Sequence, residues 1–324
     1  MDQILTEVDH LFAYTQNLRR DFHRFPELGF HEVRTAGIVA SELRKLEVEV
    51  STGIGKTGVV ASIDGASPGP VAMLRFDMDA LPIQEATGAI YASENPGTMH
   101  ACGHDGHTAI GLTVARLLLS RRHEMRGSVK LVFQPAEEGL GGAEAMLKDG
   151  VLENPRPDFC IGLHLWNERP LGWISATPGP VMAASEFFQI RITGKGGHGA
   201  SPQFAIDPVV AAGQIITAVQ SVVSRNVAPL QSAVISITSV KAGEAHNVIP
   251  HTAEMKGTIR SFEPEVREKI LERFKQVVHG VGEALGCQVE IELKSITPAV
   301  VNDLKITREI GEIIQELFPD SAFD

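Results

Sequence analysis

Val71-Ala72-Met73-Leu74-Arg75-Phe76 and Val129-Lys130-Leu131-Val132-Phe133 are apolar runs of strand length, and between them an apolar stretch from about His107 to Leu119 has the length of a helix. Strand, helix, strand is the repeating unit of an α/β sheet. Working outward, Val59-Val60-Ala61-Ser62-Ile63 reads as another strand, separated from the first by the turn-rich Asp64-Gly65-Ala66-Ser67-Pro68-Gly69. Residues 4–20 and 33–46 carry apolar side chains at helical spacing, among them Leu11, Leu18, Val39 and Leu43. Downstream come a short helix near Ala143–Lys148 and a strand over Phe159–Leu165. The alternation predicts a largely parallel or mixed sheet covered by helices on both faces. In such sheets ligands gather at the strand ends.

From about residue 185 the rhythm changes. Strand (Phe187–Ile192), helix (Pro208–Val223), strand (Val234–Val240), strand (Ala253–Ile259), helix (Pro264–Leu285) and strand (Val289–Leu293) follow in turn, with Asp207-Pro208 and Glu263-Pro264 placing proline at the first helical position. The order β-α-β-β-α-β is a ferredoxin-like unit. The expected organisation is therefore a mixed-sheet α/β domain over residues 1–184 and 296–324, interrupted by a ferredoxin-like α+β domain over 185–295. A chain of 324 residues has room for two cores.

The formal net charge of −11 speaks against a nucleic-acid footprint, and the short Arg121-Arg122-His123 cluster reads as a solvated helix end. Three cysteines, Cys102, Cys160 and Cys287, are too few and too far apart for a disulfide framework, which fits a reducing cytoplasm. No stretch has the length of a membrane span, and Met1–Glu7 lacks the basic and apolar regions of a signal peptide. The expectation is a cytoplasmic protein acting on a small molecule, with no nucleic-acid or membrane partner.

Chemistry concentrates in Met99-His100-Ala101-Cys102-Gly103-His104-Asp105-Gly106-His107, one cysteine and three histidines among glycines that permit sharp turns. Thiolate and imidazole together suit a divalent metal, with Cys102 and His104 the better ligand candidates and His100 and His107 better suited to supporting them or opening the helix. Glu137-Glu138 follows a strand and Pro135; one carboxylate can bind metal while the other takes a proton from water, the alternative being a solvated acidic pair. His164, in the apolar run Cys160–Trp166, is either a hydrogen-bonded core residue or a further nitrogen ligand. Asp77 and Asp79 share a face by two-residue periodicity, so that one can cap a turn and the other can orient an imidazole.

Other motifs need weighing. Gly53-Ile54-Gly55-Lys56-Thr57-Gly58 satisfies G-x-G-x-x-G, but a strand rather than a helix follows it, and Val50 stands where a phosphate loop has its first glycine. It reads as a glycine turn, which leaves a nucleotide-binding oxidoreductase the weakest of the functional readings. In Gly194-Lys195-Gly196-Gly197-His198-Gly199, the glycines let His198 approach a ligand closely enough to serve a developing oxyanion. Arg260, at a strand end, can clamp a carboxylate or form a surface ion pair.

Taken in order, these segments resemble the M20 metallopeptidase family, in its amidohydrolase branch of hippurate hydrolases, N-acyl-amino-acid deacylases and auxin-conjugate hydrolases. The resemblance rests on Arg20–Gly29, Asp77–Pro82, Met99–His107, Phe133–Gly139, Gly162–His164, Gly194–Pro202 and Asn247–Pro250. It implies two divalent metal ions held by Cys102, His104, Glu138 and His164; thiolate and imidazole donors suit Zn, and carboxylates also tolerate Mn, Co or Ni. It further implies Glu137 as general base and then acid, Asp79 as the residue that orients the ligand shell, and Asn247 and Arg260 as substrate-binding positions. A homodimer formed through the inserted domain, in which His198 reaches the other subunit's site, is implied as well. Family members carry a last metal-binding His near the C-terminus that has no counterpart up to Asp324, so the resemblance also implies a C-terminally truncated form and raises the alternative of a metal-retaining, non-catalytic dimeric binding protein.

Overall fold

The computed structural model describes residues 2–319 and 321. Its contacts divide the chain into two compact units, Met1–Pro170 and Leu171–Asp324. The division falls at 170/171 rather than 184/185, and residues 296–324 group with the second unit.

The first unit runs α1 (Asp2–Arg24), α2 (Val33–Arg44), β1 (Glu49–Ile54), β2 (Gly58–Asp64), β3 (Ser67–Asp77), α3 (His104–Ser120), β4 (Arg126–Gln134), α4 (Gly142–Lys148) and β5 (Phe159–Gly162). Its sheet has the order β1-β2-β4-β3-β5, with β3 parallel to both β4 and β5 and the β1, β2, β4 neighbours antiparallel. This is a mixed sheet. Alternation in β2 and β4 sends Val59, Ala61, Ile63, Leu131 and Phe133 to one face, where Phe22 of α1, Val39 and Leu43 of α2 and Leu112 of α3 cover them. Val60 and Val132 point the other way and pack with Met146 of α4. Burial of β4 on both faces explains its largely apolar run, in which the one charged residue, Lys130, donates to the Val151 and Glu153 carbonyls.

Strand β1 escapes the sequence pattern because it is a polar edge, Glu-Val-Ser-Thr-Gly-Ile, mostly exposed. The expected strand over Phe159–Leu165 stops at Gly162, since its pairing with β3 covers only Ala72–Arg75. His164 consequently lies on the loop beyond the strand end.

The second unit contains β6 (Gly179–Met182), β7 (Ala184–Thr193), β8 (Gly197–His198), α5 (Pro208–Ala218), α6 (Gln220–Asn226), β9 (Ala233–Ala242), β10 (Val248–Ile249), β11 (Thr252–Ser261), α7 (Pro264–Ala284), β12 (Gln288–Thr297), β13 (Val300–Asn302) and α8 (Leu304–Leu317). The β12-β7-β11-β9 sheet is antiparallel throughout, the strand order of a ferredoxin-like unit. Phe188, Ile190 and Ile192 alternate into a core with Ala211 and Ile215 of α5 and with Val266, Ile270, Phe274 and Val278, spaced every fourth residue along α7. The helix expected over 208–223 is instead interrupted at Val219, whose carbonyl accepts from Val222 N at 3.1 Å, an i to i+3 bond that tightens the turn. Two short pairs, β13 with β6 and β10 with β8, complete the unit. No helix among the described residues is long and apolar enough to cross a membrane.

Candidate metal centre

The C-terminal ends of β3, β4 and β5 and the start of α3 bring the reactive side chains of the first unit together. β3 delivers Asp77 as its last residue and Asp79 just beyond it, both buried. Gly103, at φ +87°, turns the chain into α3 so that His104 is its first residue. A Cβ on Gly106 would stand 2.6 Å from Leu165 Cδ1, so the Leu165 side chain of the loop after β5 packs directly on the first turn of α3.

Three sets of potential ligand atoms fall within 4.8 Å of one another: Cys102 with His104 and His164; His104 with Glu137 and Glu138; and Asp77 with His104 and His107. His104 belongs to all three. Cys102 Sγ lies 3.4 Å from His164 Nε2, and His104 Nε2 lies 4.0 Å from Glu137 Oε2 and 3.7 Å from Asp77 Oδ1. All four expected ligands and Glu137 thus share one end of the sheet.

The imidazole tautomers follow from their partners. His104 Nδ1 donates to the Asp79 carbonyl at 2.8 Å and stands 3.3 Å from its Oδ1, so in the neutral ring the lone pair is on Nε2. His164 Nδ1 donates to Leu165 O at 2.7 Å, again leaving Nε2 free to coordinate. His107 differs. Its Nε2 accepts the Leu165 amide at 2.9 Å, so its proton is on Nδ1, which donates to Asp77 Oδ1 at 2.6 Å. Both nitrogens are engaged, and His107 is a tether between Asp77 and the His164 loop rather than a ligand.

Asp79 also accepts the Glu138 amide on Oδ2 at 3.0 Å, so this carboxylate fixes both His104 and the backbone of the glutamate pair. Neither Asp77 nor Asp79 caps a turn. Burial works against their charge, but hydrogen bonds from His107 and His104 and the neighbouring cations hold both carboxyls below the usual range. Burial also opposes charge on His104, yet its bonds to Asp79 and Cys102 and the charges of Asp77 and Asp79 push its pKa up to about 11. This is a pocket built for positive charge. Burial, the nearby His107 and His104 hold His164 below its ordinary value, in the neutral form that binds metal. Burial, reinforced by the charges of Asp77 and Glu138, raises Glu137.

The donor set fits a divalent cation. His104 Nε2 and Glu138 Oε1 are buried side-chain atoms with no hydrogen-bond partner, an arrangement that costs free energy unless a ligand satisfies them. Sulfur with two imidazole nitrogens in one set, and His104 with two carboxylates in the adjoining set, are donors that suit a zinc-type ion.

The profile of peptidase family M20/M25/M40 matches residues 73–323. The chain belongs to that family. It is 47% identical over 288 residues to the N-acetylcysteine deacetylase of Bacillus subtilis (strain 168), covering 89% of this chain and 75% of the relative. To the hippurate hydrolase of Campylobacter jejuni it is 40% identical, covering 97% of this chain and 82% of the relative. Among solved structures it superposes with a TM-score of 0.84 on the Bacillus subtilis YXEP protein, described as a dinuclear metal binding peptidase from the M20 family, at 39% identity and with 98% of this chain and 82% of that chain covered. The chain is thus an M20 enzyme, the family its motifs resemble.

The remaining predicted residues of this M20 chain lie in the second unit. His198 on β8 is exposed, accepts Ala200 N on Nδ1 at 3.1 Å, and pairs through its backbone with Val248 of β10, directly after Asn247. Asn247 itself accepts Gly199 N at 2.8 Å, so these two predicted residues are neighbours. Arg260 is not with them. It sits near the opposite end of β11, opposite Ser185 of β7, with Nη1 bonded to the Thr258 hydroxyl and, at 3.1 Å, to the Ile259 carbonyl. Gly53–Gly58 joins antiparallel β1 to β2 without a following helix, so it has no phosphate-binding context. His107 thus supports the ligands, as its place in the sequence suggested, whereas buried Glu32, which accepts the Ala136 amide just before Glu137, is a residue the sequence does not mark, since a glutamate beside a helix start carries no signal of what it holds.

Proposed function

We propose that the chain is a metal-dependent amidohydrolase that cleaves N-acyl amino acids of the hippurate type to a carboxylic acid and a free amino acid. The observation that carries this is the convergence of Cys102, His104, His164 and Glu138 with a second, half-buried carboxylate, Glu137, within reach. Two relatives whose names denote removal of an acyl group from an amino acid, at 47% and 40% identity, support the substrate class, and nothing among them favours a non-catalytic binding protein.

In this reading Cys102, His104, Glu138 and His164 hold the divalent cations, two by likeness to the dinuclear neighbour, with Zn, Mn, Co or Ni all compatible with the donors. When bound, such a cation lowers the pKa of water towards ~7 and polarises a carbonyl. Glu137 takes the proton of the attacking water and delivers it to the leaving amide nitrogen. Asp79 holds His104 in its coordinating tautomer and Glu138 in place. Arg260 binds the substrate through its carboxylate, and Asn247 and its neighbour His198, both from a second copy, hold the substrate and steady the oxyanion. A cytoplasmic homodimer joined through residues 185–295 completes the proposal.

The test is hydrolysis of hippurate, followed by release of glycine, with Glu137→Gln as the variant. Turnover should fall by about 10²–10⁴-fold with bound metal unchanged. Retained turnover would remove Glu137 from this role.

A further inference from the structure

Gly53–Gly58 serves no ligand, yet it ends in a contact made directly behind the carboxylate pair. Gly53, Gly55 and Lys56 have φ of +81°, +62° and +79°, so the chain reverses sharply between β1 and β2. A Cβ on Gly55 would stand 2.6 Å from Met146 Cγ, which shows how tightly the turn closes on α4. The reversal carries Thr57 to Glu32, whose Oε2 accepts the threonine hydroxyl at 2.6 Å.

Glu32 is fully buried just before α2, and its other oxygen, Oε1, accepts the Ala136 amide at 2.8 Å. Ala136 is the residue before Glu137-Glu138 and has φ +49°, a left-handed conformation that a residue with a Cβ rarely adopts. Its carbonyl accepts Gly142 N at 3.0 Å, and a Cβ on Gly29 would come within 3.0 Å of its Cα. The surroundings, not alanine's own preference, therefore dictate this backbone. A carboxylate buried to zero exposure is unfavourable unless its oxygens find donors, and an apolar side chain would fill the space more cheaply. Here each oxygen takes a donor from a different segment, the β1–β2 turn and the loop after β4.

We infer that Glu32 and Thr57 form a brace that holds Ala136 in its left-handed conformation and so aims Glu137 and Glu138, making both of them positioning residues for proton transfer and metal binding. This rests on the assignment of Glu137 as proton carrier and Glu138 as ligand.

The experiment compares Thr57→Val, Thr57→Ser, Glu32→Gln and Glu32→Ala in the full chain by zinc affinity in a chelator competition, and by kcat and KM on hippurate. Thr57→Val should weaken zinc binding and lower kcat by about tenfold or more, with KM within about twofold, and Thr57→Ser should restore both. Glu32→Gln keeps an acceptor for Ala136 and offers its amide N–H to the Thr57 hydroxyl, so it should stay within about threefold of the parent, whereas Glu32→Ala should match or exceed the loss in Thr57→Val. Should Glu32→Ala fail to fold, the Thr57 pair decides. A Thr57→Val protein with a lower Tm but zinc affinity and kcat within about twofold of the parent would overturn the brace. If Glu137→Gln retained turnover, the proton-carrier assignment would be lost, and the zinc affinities would still decide the brace.

Discussion

His107 joins two elements through one ring, and its two bonds can be cut separately. Asparagine places an N–H near the position of Nδ1 and keeps the bond to Asp77; glutamine places an oxygen near Nε2 and keeps the bond from Leu165. His107→Asn therefore leaves the Leu165 amide, 2.9 Å from the native ring, without its acceptor. Because Leu165 is 46% exposed, water replaces part of that bond and the cost is near the low end, about 1 kcal/mol. His107→Gln instead strips a donor from Asp77, a buried carboxylate left with the Arg75 ion pair at 2.6 Å and the more distant His104 Nε2 at 3.7 Å, and hydrogen bonds to charged groups are worth about 1.5–3 kcal/mol. Both losses are small against a stability of ~5–15 kcal/mol, so both variants should fold. The metal readout should rank them the other way. Freeing Leu165 loosens the carbonyl that orients His164, and loss of such a supporting bond costs about 10–100-fold in metal affinity. Denaturation of the metal-free chain and zinc competition thus give opposite orders, His107→Gln the less stable and His107→Asn the weaker binder. The same order in both assays would refute the tether.

Other perturbations follow from the same geometry. His104, held near pKa about 11, stabilises the metal-free fold fully below its unfolded value of 6.5 and loses that contribution as pH rises towards 11; thermal melts should show this decline without metal and little of it with zinc, which requires the deprotonated ring. Because burial and the charges of Asp77 and Glu138 raise Glu137 while Arg75 opposes the rise, the Glu137 carboxyl of the metal-free chain should titrate above its ordinary value in an NMR pH series and move further up in Arg75→Met; a carboxyl that stays or falls in that variant would refute this reading of its surroundings. Zinc at ~1,000-fold over its Kd should add about 4 kcal/mol to the unfolding free energy, and Glu138→Ala should reduce that gain. Gly111→Ala would bring a methyl within 2.7 Å of Phe76 and Phe133 and should cost about 1–3 kcal/mol in denaturation midpoint measurements.

Much of this was legible in the residues because it rests on local rules. The four-residue spacing of Ile270, Phe274 and Val278, the alternation of Phe188, Ile190 and Ile192, and proline at the first turn of α5 and α7 together indicate the ferredoxin-like unit. The crowding of Cys102 and His104 marks the centre in the same way. What stayed hidden depends on pairings across the fold. Strand β1 lacks an apolar face, and β8 and β10 are two residues long. Asp77 and Asp79 share a spacing, and only the three-dimensional placement of His107 and His104 gives them separate tasks. Glu32 lies 104 positions from the amide it holds, a distance at which single-sequence patterns carry nothing.

Zinc-edge X-ray absorption on the zinc-loaded chain measures the centre most directly. A sulfur scatterer at about 2.3 Å with nitrogen and oxygen at about 2.0–2.2 Å, the sulfur vanishing in Cys102→Ser, is the expected result. A shell of nitrogen and oxygen alone in the parent, or a sulfur signal that survives Cys102→Ser, would contradict it.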